Sequence, residues 1–270
     1  MRIFNRIKRL VGSRTLEAIN KFSVYVNKRS TVYWYFCTTR CASTFFGSIL
    51  QDYFEANNIA MRHQLLHPGK LRYQEPDHIR LTFSNLSSKK VFSGHIHTQY
   101  NDYLENLLLG ENHKIILQTR NIFDTILSIK ELMDKVYVCP WIKSSKDEWR
   151  KIDDTTKLDI VIRSYVPWHI EFLLTWLSQN KYDYLLLDFN LVVDDTESAL
   201  VKTLDYLEFK FNKGDIDRIT TKYKKKKIAF NKGLKNRGVK ILNNKQIKTV
   251  HEFIESRNTT NLNIFNIMTK

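Results

Sequence analysis

Arg40, Ser43 and Thr44 crowd one short run of the chain, Cys37-Thr38-Thr39-Arg40-Cys41-Ala42-Ser43-Thr44-Phe45-Phe46. A guanidinium and two hydroxyls at this spacing suit the gripping of a tetrahedral anion, phosphate or sulfate. Upstream, Val32-Tyr33-Trp34-Tyr35-Phe36-Cys37 is β-branched and aromatic, as expected for a strand buried on both faces of a parallel sheet. Downstream, Phe45, Phe46, Ile49, Leu50, Tyr53 and Phe54 recur at helical spacing. The turn between would aim free backbone N–H groups and the positive end of a helix dipole at its ligand. No G-x-x-x-x-G-K-[ST] occurs and the turn holds no glycine, which argues against ordinary ATP or GTP chemistry.

A second strand, turn and helix follow the same plan. His113-Lys114-Ile115-Ile116-Leu117-Gln118-Thr119 reads as a buried strand, and Arg120 to Ile129 as a turn entering a helix. Arg120 at the strand end can fork two N–H donors onto a phosphate; Ser128, two helical turns on, reaches the same anion only if the helix packs beside it. Between the two loops, Lys89-Lys90-Val91-Phe92-Ser93-Gly94-His95-Ile96-His97 reads as a short strand ending in two histidines, side chains suited to proton transfer near pH 7.

Apolar runs alternate with amphipathic helical stretches from Thr31 to about Phe211. That is the pattern of a single α/β domain with a central parallel β-sheet flanked by helices. The expected strands are Val32 to Cys37, Lys90 to Gly94, Lys114 to Thr119 and Tyr182 to Asp188. The expected helices are Ser43 to Ala56, Asn101 to Leu109, Ile122 to Met133, Leu158 to Ser178, Glu197 to Leu207 and Lys245 to Glu255.

Taken in order, these segments resemble the sulfotransferases that use 3′-phosphoadenosine 5′-phosphosulfate (PAPS). Arg40, Cys41, Ala42, Ser43, Thr44 and Phe45 stand where that family's phosphosulfate loop has a Lys or Arg, a small residue, Gly, Ser or Thr, Thr and an aromatic. Ala42 replaces the usual glycine and Cys41 the usual serine. Arg120, Asp124 and Ser128 reproduce the spacing of the family's 3′-phosphate grip. Lys232 and Gly233 match its Arg-Lys-Gly segment, with Asn231 where an arginine is common and the second glycine displaced. Tyr184 to Leu191, then Asp194-Asp195-Thr196-Glu197, look like its late strand and the acidic turn opening the next helix, without the usual tyrosine and glutamate.

The resemblance implies a P-loop-like nucleotide-binding architecture, with a basic helical segment at 1–30 and a sulfotransferase-like α/β domain at 31–270. It implies in-line transfer of the sulfuryl group from PAPS to a hydroxyl or amine, on a carbohydrate, a small alcohol or another small-molecule or glycan acceptor, with no metal. His95 would take the acceptor proton, with His97 in reserve, while Arg40 would stabilise charge on the bridging oxygen. Ser43, Thr44 and nearby amides, with Cys41 and Ala42 in the same turn, would hold the 5′-phosphate, and Phe45 would stack near adenine. Arg120 and Ser128 would recognise the 3′-phosphate, and Lys232 and Gly233 would close over it. The acceptor pocket is expected from Met61 to Ser88 and from Val136 to Asp154, with Trp141 and Trp149.

Composition sets outer limits. The chain has 270 residues, 43% hydrophobic, enough for a sizeable core, and a formal net charge of +15 that calls for an anionic partner. Scattered lysines and aromatics lying in apolar runs speak against nucleic acid as that partner. Three cysteines suit a reducing, cytoplasmic setting better than a disulfide framework. No stretch approaches the roughly 18 apolar residues of a membrane span. The basic amphipathic start, Met1 to Val11, lacks the core of a secretory signal; it could lie on an anionic membrane surface or pack on the domain. Two other readings stay open: a nucleotide-dependent phosphotransferase of similar architecture, and a non-catalytic basic anion-binding module.

Overall fold

The structure is a computed structural model; it describes residues 31–57, 59–61, 90–108, 112–136, 139, 141–142, 144–225 and 236–257. The expected segment at 1–30, most of the expected acceptor stretch from Met61 to Ser88, and Lys232 and Gly233 lie outside the described residues.

Five strands form one sheet: β1 (Thr31–Cys37), β2 (Ala60–Met61), β3 (Lys90–Ile96), β4 (Asn112–Thr119) and β5 (Tyr184–Asp188). Their order is β2-β3-β1-β4-β5, and every neighbouring pair is parallel. Ten helices are described: α1 (Ser43–Ala56), α2 (Asp102–Leu108), α3 (Ile122–Val136), α4 (Lys146–Lys151), α5 (Asp154–Ser178), α6 (Phe189–Asp194), α7 (Thr196–Tyr206), α8 (Lys213–Lys225), α9 (Gly238–Ile241) and α10 (Asn244–Glu255).

Parity along β1 divides the core. Tyr33, Tyr35 and Cys37 join Phe46, Leu50 and Phe54 of α1 and the apolar faces of α7 and α8. Val32, Trp34 and Phe36 join α3, α5 and α10 through Ile126, Tyr165, Trp176 and Val250. With helices on both faces the central strand has no wet side, which is why its sequence is apolar throughout rather than alternating.

Several helix starts are set by side-chain caps. Ser145 and Glu148 make a capping box on α4, Asn243 and Gln246 make one on α10, and Asp153 accepts from the Thr156 amide to open α5. The Asp153 cap places the start of α5 at Asp154, four residues before the expected Leu158. The short β2, α4, α6 and α9 and the lysine-rich α8 were absent from the expected elements, because each offers few apolar repeats.

Strand β3 runs two residues beyond its expected end at Gly94, so His95 lies within the strand rather than after it. Its pairing with β1 slips: Tyr33 faces Phe92, but Tyr35 faces His95, leaving Ser93 and Gly94 opposite one residue. Gly94 takes φ +69 at this bulge. The extra residue shifts the side-chain parity, so Phe92 and His95, three apart, both face α1. Gly94→Ala is expected to destabilise the chain by about 1–2 kcal/mol, read from denaturant unfolding, since no atom lies within 4 Å of the added carbon and only the backbone conformation is penalised. An unchanged midpoint would mean that the bulge does not need glycine.

Candidate active site

The C-terminal ends of β1, the central strand, and of its neighbour β4 lead into Arg40 and Arg120. Strand order reverses at β1, the place where open α/β sheets leave a crevice. The two arginines meet there. Arg120 Nη1 donates to the Arg40 carbonyl at 2.9 Å, and Arg40 Nε donates to Ser128 Oγ at 3.0 Å. Arg120 is buried, its guanidinium 4.0 Å from the centre of the Phe189 ring. Burial pushes its pKa down to about 10; Asp124 and Cys41 act against the shift, while the like charges of Arg40 and Arg237 add to it. Positive charge gathered in a partly dehydrated cleft favours an anion.

The turn 38–42 is held from several sides. Arg40 and Ala42 both take left-handed backbone angles, φ 59 and 67, a conformation costing on the order of 1 kcal/mol for each non-glycine residue. Thr38 N donates to Gln118 O at 3.0 Å, Cys41 Sγ donates to Thr38 O at 2.9 Å, and Gln118 Nε2 donates to Cys41 O. The Tyr35 hydroxyl holds Gln118 Oε1 in turn. Burial works to raise the Cys41 thiol pKa, but hydrogen bonds with Cys37 and with the side chain and amide of Ser43 prevail and lower it. Helix α1 then opens without a side-chain cap and with no acidic residue in its first turn, so its leading amides are suited to an anion. Ser43 is buried at that helix start and Thr44 is half-buried. The left-handed Ala42 occupies the position at which the resembled family carries glycine, the residue such an angle favours.

His95 is half-buried and lies over α1, where Gly47 leaves it room: a Cβ at Gly47 would stand 3.2 Å from His95 Nδ1. His97 is buried, its ring 5.5 Å from that of His95, and its Nδ1 donates to the Cys37 carbonyl at 2.8 Å. That bond turns His97 inward, which leaves His95 the better placed of the two histidines to meet a substrate.

Two expectations need correction. Phe45 is 5% exposed and meets Tyr223 of α8 edge to face, so its ring is part of the core and offers little face for an adenine. Trp149 is 1% exposed and its indole donates to Asp134 at 2.9 Å; it is core, not pocket wall. Trp141 is half-buried, in contact with Tyr165 and Trp168 at 4.9 Å between ring centres.

Three features were missed by sequence reasoning. Asp124 accepts from the Asn236 and Gly238 amides, both at 2.8 Å, tying the start of α9 to α3. Gly238 lies so close that a Cβ there would sit 2.2 Å from the Phe123 carbonyl carbon. Arg237 pairs with Glu131 on the same helix. A third arrangement runs from Thr39 through Tyr165 to His169. Each depends on a contact between segments more than 100 positions apart, and only the displaced second glycine, Gly238, hinted at one of them.

A family model described as the sulfotransferase domain matches residues 14–259. Among solved structures, a mouse sulfotransferase complexed with PAP is similar at 12% identity and TM-score 0.58, over 91% of this chain and 93% of that one. A retinol dehydratase in complex with androsterone and the inactive cofactor PAP aligns at 13% identity and TM-score 0.49, over 85% of this chain and 81% of that one. A search of curated proteins returns no match. Among the described residues no helix is long and apolar enough to cross a membrane, and no group of three or more His, Cys, Asp or Glu side chains is placed to hold a metal.

Proposed function

The chain belongs to the sulfotransferase domain family and transfers the sulfuryl group of PAPS to an acceptor, and on that premise we propose how its residues divide the work. Arg120 and Ser128 bind the 3′-phosphate, and the amides at the start of α1, with Ser43 and Thr44, bind the 5′-phosphate. His95 removes the proton from the acceptor hydroxyl or amine as the new bond to sulfur forms. The bond between sulfur and the bridging oxygen breaks in line, and Arg40 stabilises the charge growing on that oxygen as 3′-phosphoadenosine 5′-phosphate leaves. Lys232 and Gly233 complete the 3′-phosphate side. The observation that carries this reading is the meeting of the two arginines: Arg120 donates to the Arg40 carbonyl, and Arg40 donates to Ser128.

The acceptor is a small molecule or a glycan, and it approaches from the side of the half-buried Trp141. Three buried cysteines that form no disulfide framework support a reducing, cytoplasmic setting.

Calorimetry with 3′-phosphoadenosine 5′-phosphate and with AMP tests the reading. The wild-type chain should prefer the former in EDTA. Arg120→Met should weaken the 3′-phosphorylated nucleotide at least about tenfold more than AMP, because a hydrogen bond to a charged group contributes about 1.5–3 kcal/mol. Equal losses would remove Arg120 from the 3′-phosphate. A requirement for Mg²⁺ and ATP would favour a phosphotransferase.

A further inference from the structure

His169 is fully buried on α5, and its Nε2 has no hydrogen-bond partner among the described residues. A buried, unsatisfied ring nitrogen weakens a fold, and a phenylalanine would fill the same core space without that penalty. What the imidazole offers is its other nitrogen. His169 Nδ1 stands 2.8 Å from the Tyr165 hydroxyl, and the Thr39 hydroxyl donates to that same oxygen at 2.9 Å. With Thr39 donating to Tyr165, the phenol donates to Nδ1 and the imidazole keeps its proton on Nε2. Burial favours this neutral ring. The three side chains therefore form a chain of hydrogen bonds with one direction, from the anion-binding turn into the core.

Thr39 immediately precedes Arg40, the first of the two left-handed residues in the turn. Bonds donated by Gln118 and Arg120, and the bond that Arg40 donates to Ser128, hold that turn from the β4 and α3 side, while Tyr165 holds Thr39 from α5. Tyr165 is itself braced by Trp141 at 4.9 Å, so its hydroxyl has little freedom to follow a turn that relaxes.

We propose that Tyr165 and His169 are positioning residues for sulfuryl transfer: through Thr39 they keep the Arg40 backbone in its left-handed turn, and so keep the guanidinium on the bridging oxygen. The inference rests on the reading of Arg40 given above. It separates two properties that a general loss of folding would not. Arg120 and Ser128 stay on β4 and α3, and Cys41 and the start of α1 stay held by Gln118 and Thr38, so nucleotide affinity survives while turnover falls.

The test is a double-mutant cycle with a rescue. Tyr165→Phe keeps the ring and its packing, and should lower kcat about tenfold with the Kd for 3′-phosphoadenosine 5′-phosphate within about twofold of wild type. Thr39→Val should do the same, and the double variant should lose no more than either single one. His169→Asn, which retains an acceptor near the Nδ1 position, should keep kcat within about twofold, whereas His169→Leu should match Tyr165→Phe. Undiminished kcat in Tyr165→Phe, additive losses, or a fall in nucleotide affinity parallel to that in kcat would each overturn the proposal. The Arg40 Nε–H resonance reads the tether without substrate: it should move in Tyr165→Phe and Thr39→Val and stay in His169→Asn. An unmoved resonance rejects the tether, whereas failure of the wild-type chain to bind the 3′-phosphorylated nucleotide rejects only the reading of the donor.

Discussion

Arg40→Ala is expected to lower kcat by about a hundredfold or more, the usual consequence of deleting a donor that meets charge developing in a transition state. The fold should survive, because Arg40 lies half-buried at the surface of the cleft and its hydrogen bond to Ser128 is replaceable by water. Alanine can hold the left-handed angle about as well as arginine, so the backbone carbonyl that receives Arg120 stays in place. Nucleotide affinity should accordingly change far less than turnover. Arg40→Lys separates charge from shape: an ammonium restores the charge but has no Nε donor for Ser128. Steady-state kinetics beside thermal unfolding decides the matter, and full turnover in a folded Arg40→Ala chain would strip Arg40 of its role.

A second large effect concerns acid. His169 has its pKa depressed by burial to about 3. The unfolded chain takes up a proton at this histidine below about pH 6.5, while the native chain stays neutral there until about pH 3. Its contribution to stability is therefore complete above pH 6.5 and lost as pH falls toward 3. Integrated from about pH 7 to about pH 4, the loss is on the order of 3 kcal/mol. Denaturant midpoints at the two pH values should show that much smaller a drop in His169→Asn than in wild type. Equal drops would mean that the ring is protonated or hydrated in the native chain.

Much of the site's first layer was legible because local pattern carries it. The apolar run of β1, the helical repeat of α1 and the arginine between them define a strand, a turn and a helix from neighbouring residues alone. Arg120 and Ser128 could be placed likewise, since a strand end, a short turn and two turns of helix set their spacing. What stayed hidden depended on contacts between distant segments. The face of His95 turns on one slip in pairing between β3 and β1, and a lone glycine in a strand does not announce which residue it will re-aim. Thr39 and Tyr165 are 126 positions apart, and Asp124 is 114 from Gly238, so neither pairing leaves a periodic trace. Phe45 and Trp149 misled for the converse reason: aromatic side chains next to a site read as ligand contacts until the core claims them.

Both arginine-bearing turns spring from strands that are hydrogen-bonded along both edges, β1 between β3 and β4, and β4 between β1 and β5. Such strands open only when the whole sheet comes apart, so their amides should be among the slowest in the protein to trade hydrogen for deuterium. A cleft rooted there is rigid before any nucleotide arrives. Capture should then be limited by diffusion and electrostatic attraction, with an association rate that falls as ionic strength rises.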